Sequence, residues 1–367
     1  MSEVRVLKNE EMAEHDVLPI DEAIEVVEAA FRELGEGRAR NEPRARIHLE
    51  EGGPPDDPDT WYWFNNIMGA VPGQDAMALR IDSGLRRFAA VSDEAAEGEE
   101  KMTYPGDFVG LVQLFDVHTC ELLAIMDDHY LSPLRVAATT AIGADRLARE
   151  DATDAGLVGA GEQARAGLAA LAEVRDLETA RVYSPTRERR EAFAAEMGEA
   201  LGLDVEAVED PETAVRGADL VSLATSATDP VIDGSWLSPG AHVASIVGGD
   251  SFHQRQEIDD ETVRRADRLV VNLLEQVFRD EQGDLYPRIQ SGLIEEAEID
   301  ELAALVVGEV PGRRSHEEIT LHKNNTGMGI QFAATAARIY RNVQGTDVGR
   351  TLPADLFVTH NEAGYSP

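Results

Sequence analysis

Cysteine is nearly absent from this 367-residue chain, where Cys120 stands alone. A single thiol forms no intramolecular disulfide and no cysteine-rich zinc site, and Cys120 is expected to fill a small place in a core. Lysine is almost as scarce: Lys8, Lys101 and Lys323 are the three in the chain, so nearly all basic residues are arginine. Positive charge as a whole is short, with 33 Lys and Arg against 70 Asp and Glu and a formal charge of −37. That excess is spread along the chain, so nucleic acid and anionic membranes would be repelled. No apolar run approaches the ~18 residues of a membrane span. The opening Met1-Ser2-Glu3-Val4-Arg5 has no cationic, apolar leader pattern. The expectation is a cytoplasmic protein without nucleic-acid or membrane partners.

A dispersed negative charge pushes a folded chain apart at low salt, and molar salt screens the repulsion by shrinking the Debye length to about 3 Å. An acidic, lysine-poor chain therefore suits a salt-filled, halophilic cytoplasm. Hydrophobic residues still make up 43% of the chain, enough to exclude a disordered acidic tail and to supply two cores at this length.

The spacing of Ile20, Ala23, Ile24, Val27, Ala30, Phe31 and Leu34 predicts an amphipathic helix over Ile20–Gly35. From Ala45 to Val117, short apolar runs (Tyr62–Phe64, Ala76–Ile81, Gly110–Phe115) read as strands, with an acidic loop at Glu94–Glu100. Leu131–Arg149 returns to helical period and would bridge two domains. Beyond it, strands at Ala155–Val158, Ala180–Tyr183, Val205–Val208, Leu220–Ala224, His242–Val247 and Leu269–Asn272 alternate with helices such as Glu162–Val174 and Thr186–Leu201. That alternation predicts an α/β fold with a parallel sheet. A last helical stretch, Met328–Tyr340, would return to complete the first domain.

The turn Gly159-Ala160-Gly161-Glu162-Gln163-Ala164 follows an apolar strand and opens a helix, the context that gives a glycine pattern weight. Gly159 permits the tight turn, Gly161 lets backbone approach a pyrophosphate, and Ala164 packs helix on strand. The helix N-terminus offers N–H groups to phosphates. A Rossmann dinucleotide-binding domain is implied. At the second strand end, Val182-Tyr183-Ser184, an NAD-specific site would carry an acid for the ribose 2′-hydroxyl, and none is there. Ser184, Thr186 and Arg187 instead suit a 2′-phosphate, so NADP(H) is expected to be preferred, with NAD(H) possible. Thr225 and Ser226 lie in another strand-end loop of the kind that binds ligands, and Asp250 follows Gly248-Gly249 in a third.

The ordered set of Pro43-Arg44, Arg135-Val136-Ala137-Ala138, the Gly159–Ala164 turn, Thr225–Val231, Gly240-Ala241-His242 with Val247-Gly248-Gly249-Asp250, and Glu317-Glu318-Ile319-Thr320 resembles the ornithine cyclodeaminase and mu-crystallin family over roughly residues 15–340. The resemblance implies an NAD(P)-dependent oxidoreductase acting on C–N bonds of an amino acid or cyclic imino acid. Ornithine cyclodeaminase, ketimine reductase, alanine dehydrogenase and a cofactor-binding crystallin without turnover are its alternatives. It implies a homodimer, with residues 1–130 and 310–367 forming an α+β substrate-binding and dimerisation domain and residues 131–309 the Rossmann NAD(P)-binding domain. By motif, Asp250 falls on the catalytic acid and Arg44 and Arg135 on a basic cluster that holds the substrate carboxylate. Arg80 stands where the family commonly has lysine and joins that cluster. No metal site is expected.

Departures accompany the resemblance. Arginine cannot lose a proton as lysine can, so Arg80 bears on the reaction. Val136 replaces a usual threonine, and the stretch from Lys323-Asn324-Asn325-Thr326-Gly327 through Gln331 lacks the usual acid near Gln331. Trp61-Tyr62-Trp63-Phe64 and the Arg86–Tyr104 insertion have no standard counterpart.

Overall fold

The computed structural model describes residues 3–358 apart from 50–52, 55, 58 and 91–99. Residues 94–99 of the expected acidic loop therefore lie outside the described residues. The chain opens with β1 (Glu3–Leu7) and helices α1 (Asn9–Glu14) and α2 (Ile20–Gly35). Then come β2 (Arg40–Leu49), β3 (Thr60–Val71), β4 (Ala76–Ala90), β5 (Glu100–Thr103), β6 (Val109–Asp116) and β7 (Leu122–Asp127). These strands form one mixed sheet, mostly antiparallel, in which β1 runs parallel to β7.

Residue burial along β3 alternates over most of its length: Trp61, Trp63, Asn65, Ile67, Gly69 and Val71 are buried and the residues between them more open. That is the period of a strand with one covered face. The cover is α2 and a late helix, whose apolar stripes meet the sheet around Val27, Phe31, Ile67, Leu114, Phe332 and Ile339.

Helix α3 (Leu131–Leu147) carries the chain into a second sheet of strands β8 (Asp154–Val158), β9 (Thr179–Tyr183), β10 (Asp204–Ala207), β11 (Leu220–Leu223), β12 (His242–Ser245), β13 (Arg268–Val271), β14 (Ile299–Glu301) and β15 (Thr320–Lys323). All are parallel, in the order β10-β9-β8-β11-β12-β15-β13-β14. Strands β11, β12 and β15 are buried at every residue, as expected of a parallel sheet covered on both faces. The longer helices beside it are α4 (Glu162–Val174) and α5 (Arg187–Leu201); α6 (Pro211–Val215), α7 (Asp260–Arg265), α8 (Leu274–Arg279), α9 (Tyr286–Gln290) and α10 (Leu302–Val307) are short. Helix α11 (Gly329–Asn342) and β16 (Arg350–Pro353) then return to the first sheet.

The return starts later than position 310. Thr320–Lys323 pairs with both β12 and β13 inside the parallel sheet, so the expected boundary leaves one strand of that sheet on the wrong side. A four-residue strand surrounded by polar residues gives little periodic signal, and its place depends on partners far away in sequence. Cys120 also departs from expectation. It is exposed, in the turn between β6 and β7, with φ of +62°, so it fills no core.

Close approaches fix helices against the two sheets. Gly69 on β3 meets the start of α11, where an added Cβ would lie 2.5 Å from the Ile330 nitrogen. Gly143 on α3 meets His322 on β15, where a Cβ would lie 2.2 Å from Nδ1. Among the described residues no helix is long and apolar enough to cross a membrane.

Candidate active site

The parallel sheet reverses its order between β8 and β11, and the loops at that switch point form a groove of about 640 Å³. Gly159 takes φ of +115°, and a Cβ there would lie 2.2 Å from the Ala224 carbonyl oxygen. Gly161 caps α4 with no side-chain hydrogen bond, and a Cβ on it would meet nothing within 4 Å. The first turn of a 13-residue helix thus faces open space, its N–H groups unclaimed among the described residues, a cradle that fits a pyrophosphate. Glu162, Gln163, Ser184, Thr186, Thr225 and Ser226 line the same groove, while Ala164 is buried against the sheet. The residues present fit a nicotinamide dinucleotide.

Arg187 is elsewhere. Its guanidinium is paired with Glu191 one turn along α5 at 2.7 Å and stays largely exposed, whereas Arg189 lines the groove. The sequence could not separate the two, because which residue of a helix's first turn faces a groove depends on how the helix sits on its sheet. Arg190 is buried and donates to the Ser184 carbonyl at 2.9 Å, so it shapes the strand end.

A second cleft, about 380 Å³, opens between the two sheets and shares Ser226 and Thr228 with the dinucleotide groove. Arg44, Arg80, Arg135 and Asp250, four residues far apart in sequence, all line it. Arg44 donates to Asp280 at 3.2 Å, and its backbone N–H is held by Gln276 at 2.7 Å. Arg80 pairs with both Asp82 and Asp128, donating to the latter from Nε at 2.7 Å. Arg135 differs. Its Nη1 donates to the neutral Gln331 at 3.3 Å, its guanidinium lies 4.9 Å from the Phe332 ring centre, and among the described residues it forms no ion pair. Burial, with Arg80 and Arg44 nearby, pushes Arg135 down to about 9; burial and Arg46 do the same to Arg44. Both remain cations at neutral pH, and a cation destabilised in this way gains from an arriving anion.

Asp250 is buried where β12's following loop crosses the end of the cleft. Its Oδ2 lies 3.1 Å from Arg46 Nε and 3.7 Å from His48 Nε2, and Oδ1 accepts the His253 backbone N–H at 2.8 Å. Burial pushes its pKa up, but Arg46, the His253 N–H, Arg86 and His48 outweigh it, and the carboxyl sits below its ordinary value. It is an ionised group at neutral pH, fit to accept a proton or to face a cationic nitrogen.

Both strand-end loops are held by one acid that the motifs did not reveal. Glu257 is fully buried and accepts from the Thr225 N–H at 2.6 Å and its hydroxyl at 2.9 Å, from the Ser245 hydroxyl at 2.7 Å, and from the Ile246 and Val247 N–H groups at 3.1 Å each. Lys323, also buried, donates to the Ser245 hydroxyl at 2.7 Å and pairs with Asp284. Arg46, His48, Arg86, Arg255 and Glu257 belong to none of the motifs, since only folding brings them to this cleft. A two-residue alternation from Arg44 through Arg46 to His48 on β2 could have pointed to the first two.

Comparison with known proteins places this geometry in context. A model of the ornithine cyclodeaminase/mu-crystallin family matches residues 93–347. Delta(1)-pyrroline-2-carboxylate reductase of Bacillus cereus is 33% identical over 244 residues, 66% of this chain and 74% of that one. The structure of Thermococcus litoralis Delta(1)-pyrroline-2-carboxylate reductase in complex with NADH and L-proline superposes with a TM-score of 0.81 at 30% identity, covering 95% of this chain and 100% of that one. An archaeal alanine dehydrogenase dimer with bound NAD gives 0.79 at 26% identity, covering 96% and 99%.

Proposed function

Since the chain belongs to the ornithine cyclodeaminase/mu-crystallin family, we propose that it is an NAD(P)-dependent enzyme that interconverts a small 2-amino acid with its imine. The observation that carries this reading is the pairing, in one cleft, of an arginine without an acidic partner, Arg135, and an ionised carboxylate, Asp250, where that cleft meets the dinucleotide groove.

In this reading Arg135 grips the substrate carboxylate through its planar guanidinium, with Phe332 holding the plane from below. That anchor fixes the α-carbon toward Ser226 and Thr228, where the two cavities join. Arg44 adds positive field at the same end, and Arg80 acts through its tie to Asp82 and Asp128. Asp250 takes a proton from the substrate ammonium in the oxidative direction, leaving a neutral amine, and faces the iminium cation in the reductive one. The bound nicotinamide supplies or accepts the hydride. Glu257 keeps the Thr225 and Ile246–Val247 segments in place beneath both cavities.

The cofactor preference is for NADP(H), supported by Ser184 and Thr186 in the groove, by the absence of an acid at the end of β9, and by Arg189 as the guanidinium facing that groove. The working form is a homodimer in a salt-rich cytoplasm. The resemblance to a dimeric alanine dehydrogenase supports the dimer, and the charge of −37 supports the salt. The test is a panel of 2-amino acids, and of 2-oxo acids with ammonium, followed by cofactor absorbance in both directions at molar KCl. Turnover of at least one pair is expected; saturable NADPH binding with no turnover of any would leave a cofactor-binding protein and sink the reading.

A further inference from the structure

The cleft holds more positive charge than one carboxylate and the protein's own acids account for. Arg44 and Arg46 have Asp280 and Asp250 as partners, and Arg80 has Asp82 and Asp128. With Arg135 assigned to a substrate carboxylate, two further guanidiniums remain on the cleft wall, those of Arg86 and Arg255. Among the described residues neither forms an ion pair, and the Nε of each is buried without a hydrogen-bond partner.

Arg86 is 8% exposed. Its guanidinium carbon sits 3.9 Å from the Trp63 ring centre and 5.3 Å from that of Tyr104. Two aromatic rings meeting at 60°, their centres 5.8 Å apart, form a corner that keeps a buried cation in place without neutralising it. Burying so many cations in a chain of net charge −37, when aspartates are plentiful, makes sense only if the missing anion is brought by a ligand.

The strand geometry separates this charge from the first anchor. Arg80 and Arg86 stand six residues apart on one face of β4, with Asp82 and Gly84 between them. A Cβ on Gly84 would press within 2.9 Å of Phe108 and 3.1 Å of Trp63 Nε1. Arg80 and Arg44 lie near Arg135, Arg86 lies near Asp250 and Arg46, and Arg255 stands between the two groups, close to Arg86 and also lining the cavity at Arg135.

We propose that the substrate is a dicarboxylic 2-amino or 2-imino acid, its α-carboxylate on Arg135 and its side-chain carboxylate on Arg86 and Arg255. This rests on the imine chemistry proposed above. A side chain ending in an ammonium group, as in ornithine, meets two cations at that end and is disfavoured.

The test compares L-aspartate and L-glutamate with their uncharged counterparts, L-2-aminobutyrate and L-norvaline, and with L-ornithine, at fixed KCl and saturating cofactor. A kcat/KM at least tenfold higher for a dicarboxylate than for its counterpart is expected, and Arg86→Gln or Arg255→Gln should cut that ratio tenfold or more. Preference for norvaline, aminobutyrate or ornithine, or an equal loss on both members of a pair, overturns the proposal while leaving the imine chemistry standing. A second readout needs no turnover: glutarate should raise the Tm of the NADPH complex more than pentanoate does, and Arg86→Gln should abolish the difference. If glutarate does so but no amino acid reacts, the anion site stands and the enzymatic reading falls. If the two acids act alike, the second site is absent.

Discussion

Arg46 Nε forms an ion pair with the Asp250 carboxylate at 3.1 Å while its other arm reaches Asp280, so one guanidinium ties the end of the cleft to the first sheet. The contact holds Asp250 in its charged form and leaves it a weak base. Removing Arg46 as Arg46→Gln takes away the largest of the influences that lower the Asp250 pKa. Activity that requires the carboxylate is lost as pH falls through that pKa, so the acid limb of the kcat/KM profile should move to higher pH, by about one unit or more. An unmoved limb would separate Asp250 from the rate.

Asp250→Asn keeps size and most hydrogen bonding but accepts no proton. Turnover on the substrate found by the panel should fall by roughly 100-fold or more, with cofactor affinity near that of the wild type. Wild-type turnover would mean that the proton goes elsewhere in the cleft.

Cofactor choice distinguishes two arginines that are near neighbours in sequence. Arg189→Ala should weaken NADPH binding by roughly tenfold or more and NADH binding much less, because a charged contact to the 2′-phosphate is lost. Arg187→Ala should change either affinity by less than about twofold, since its exposed pairing with Glu191 contributes little. Fluorescence titration with both cofactors at one salt concentration measures all four values, and equal effects of the two substitutions would refute the assignment.

Two fully buried histidines set an acid limit on stability. Burial drives His322 down to about 3 and His242 well below its ordinary value, and each has one ring nitrogen without a partner. His322 Nε2 lies 3.1 Å from the Asn272 Oδ1, whose own amide is spent on Asn324 and Thr326, so the neutral ring donates there. The folded-state values are depressed. Stability is therefore complete above ~6.5 and is lost as pH falls toward about 3, because the unfolded chain takes up the protons first. The loss should steepen to roughly 1.4 kcal/mol per pH unit for each histidine. Chemical denaturation at pH 7, 6 and 5 should show the decline, and His322→Asn should make it shallower; an identical slope would assign the decline to other groups.

Salt should raise stability over a wide range. Self-repulsion from a charge of −37 weakens as salt screens it, so on the proposed salt-rich setting the Tm should climb between dilute buffer and molar KCl. A constant Tm would remove the halophilic reading.

Local order was written in the chain wherever a period persisted. Helix α2 spans the predicted Ile20–Gly35, and the turn from Gly159 opens α4 where the glycines and the apolar strand before them indicate. The parallel sheet followed from alternation of apolar strands with helices, because a strand buried on both faces must be apolar throughout. The order of motifs led to Arg44, Arg135 and Asp250, which share one cleft.

What the tertiary structure alone decided concerns partners distant along the chain. That Thr320–Lys323 slots between β12 and β13, that Glu257 binds two strand ends at once, and that Arg80 is occupied by two aspartates while Arg135 meets the neutral Gln331 and Phe332 follow from packing, not from neighbours in sequence. Arginines and aspartates are common throughout this chain, and each by itself reads as a solvated surface charge. Their meaning appears when folding removes water from the cleft and each cation either finds an acid of the protein or is left for one carried by a ligand.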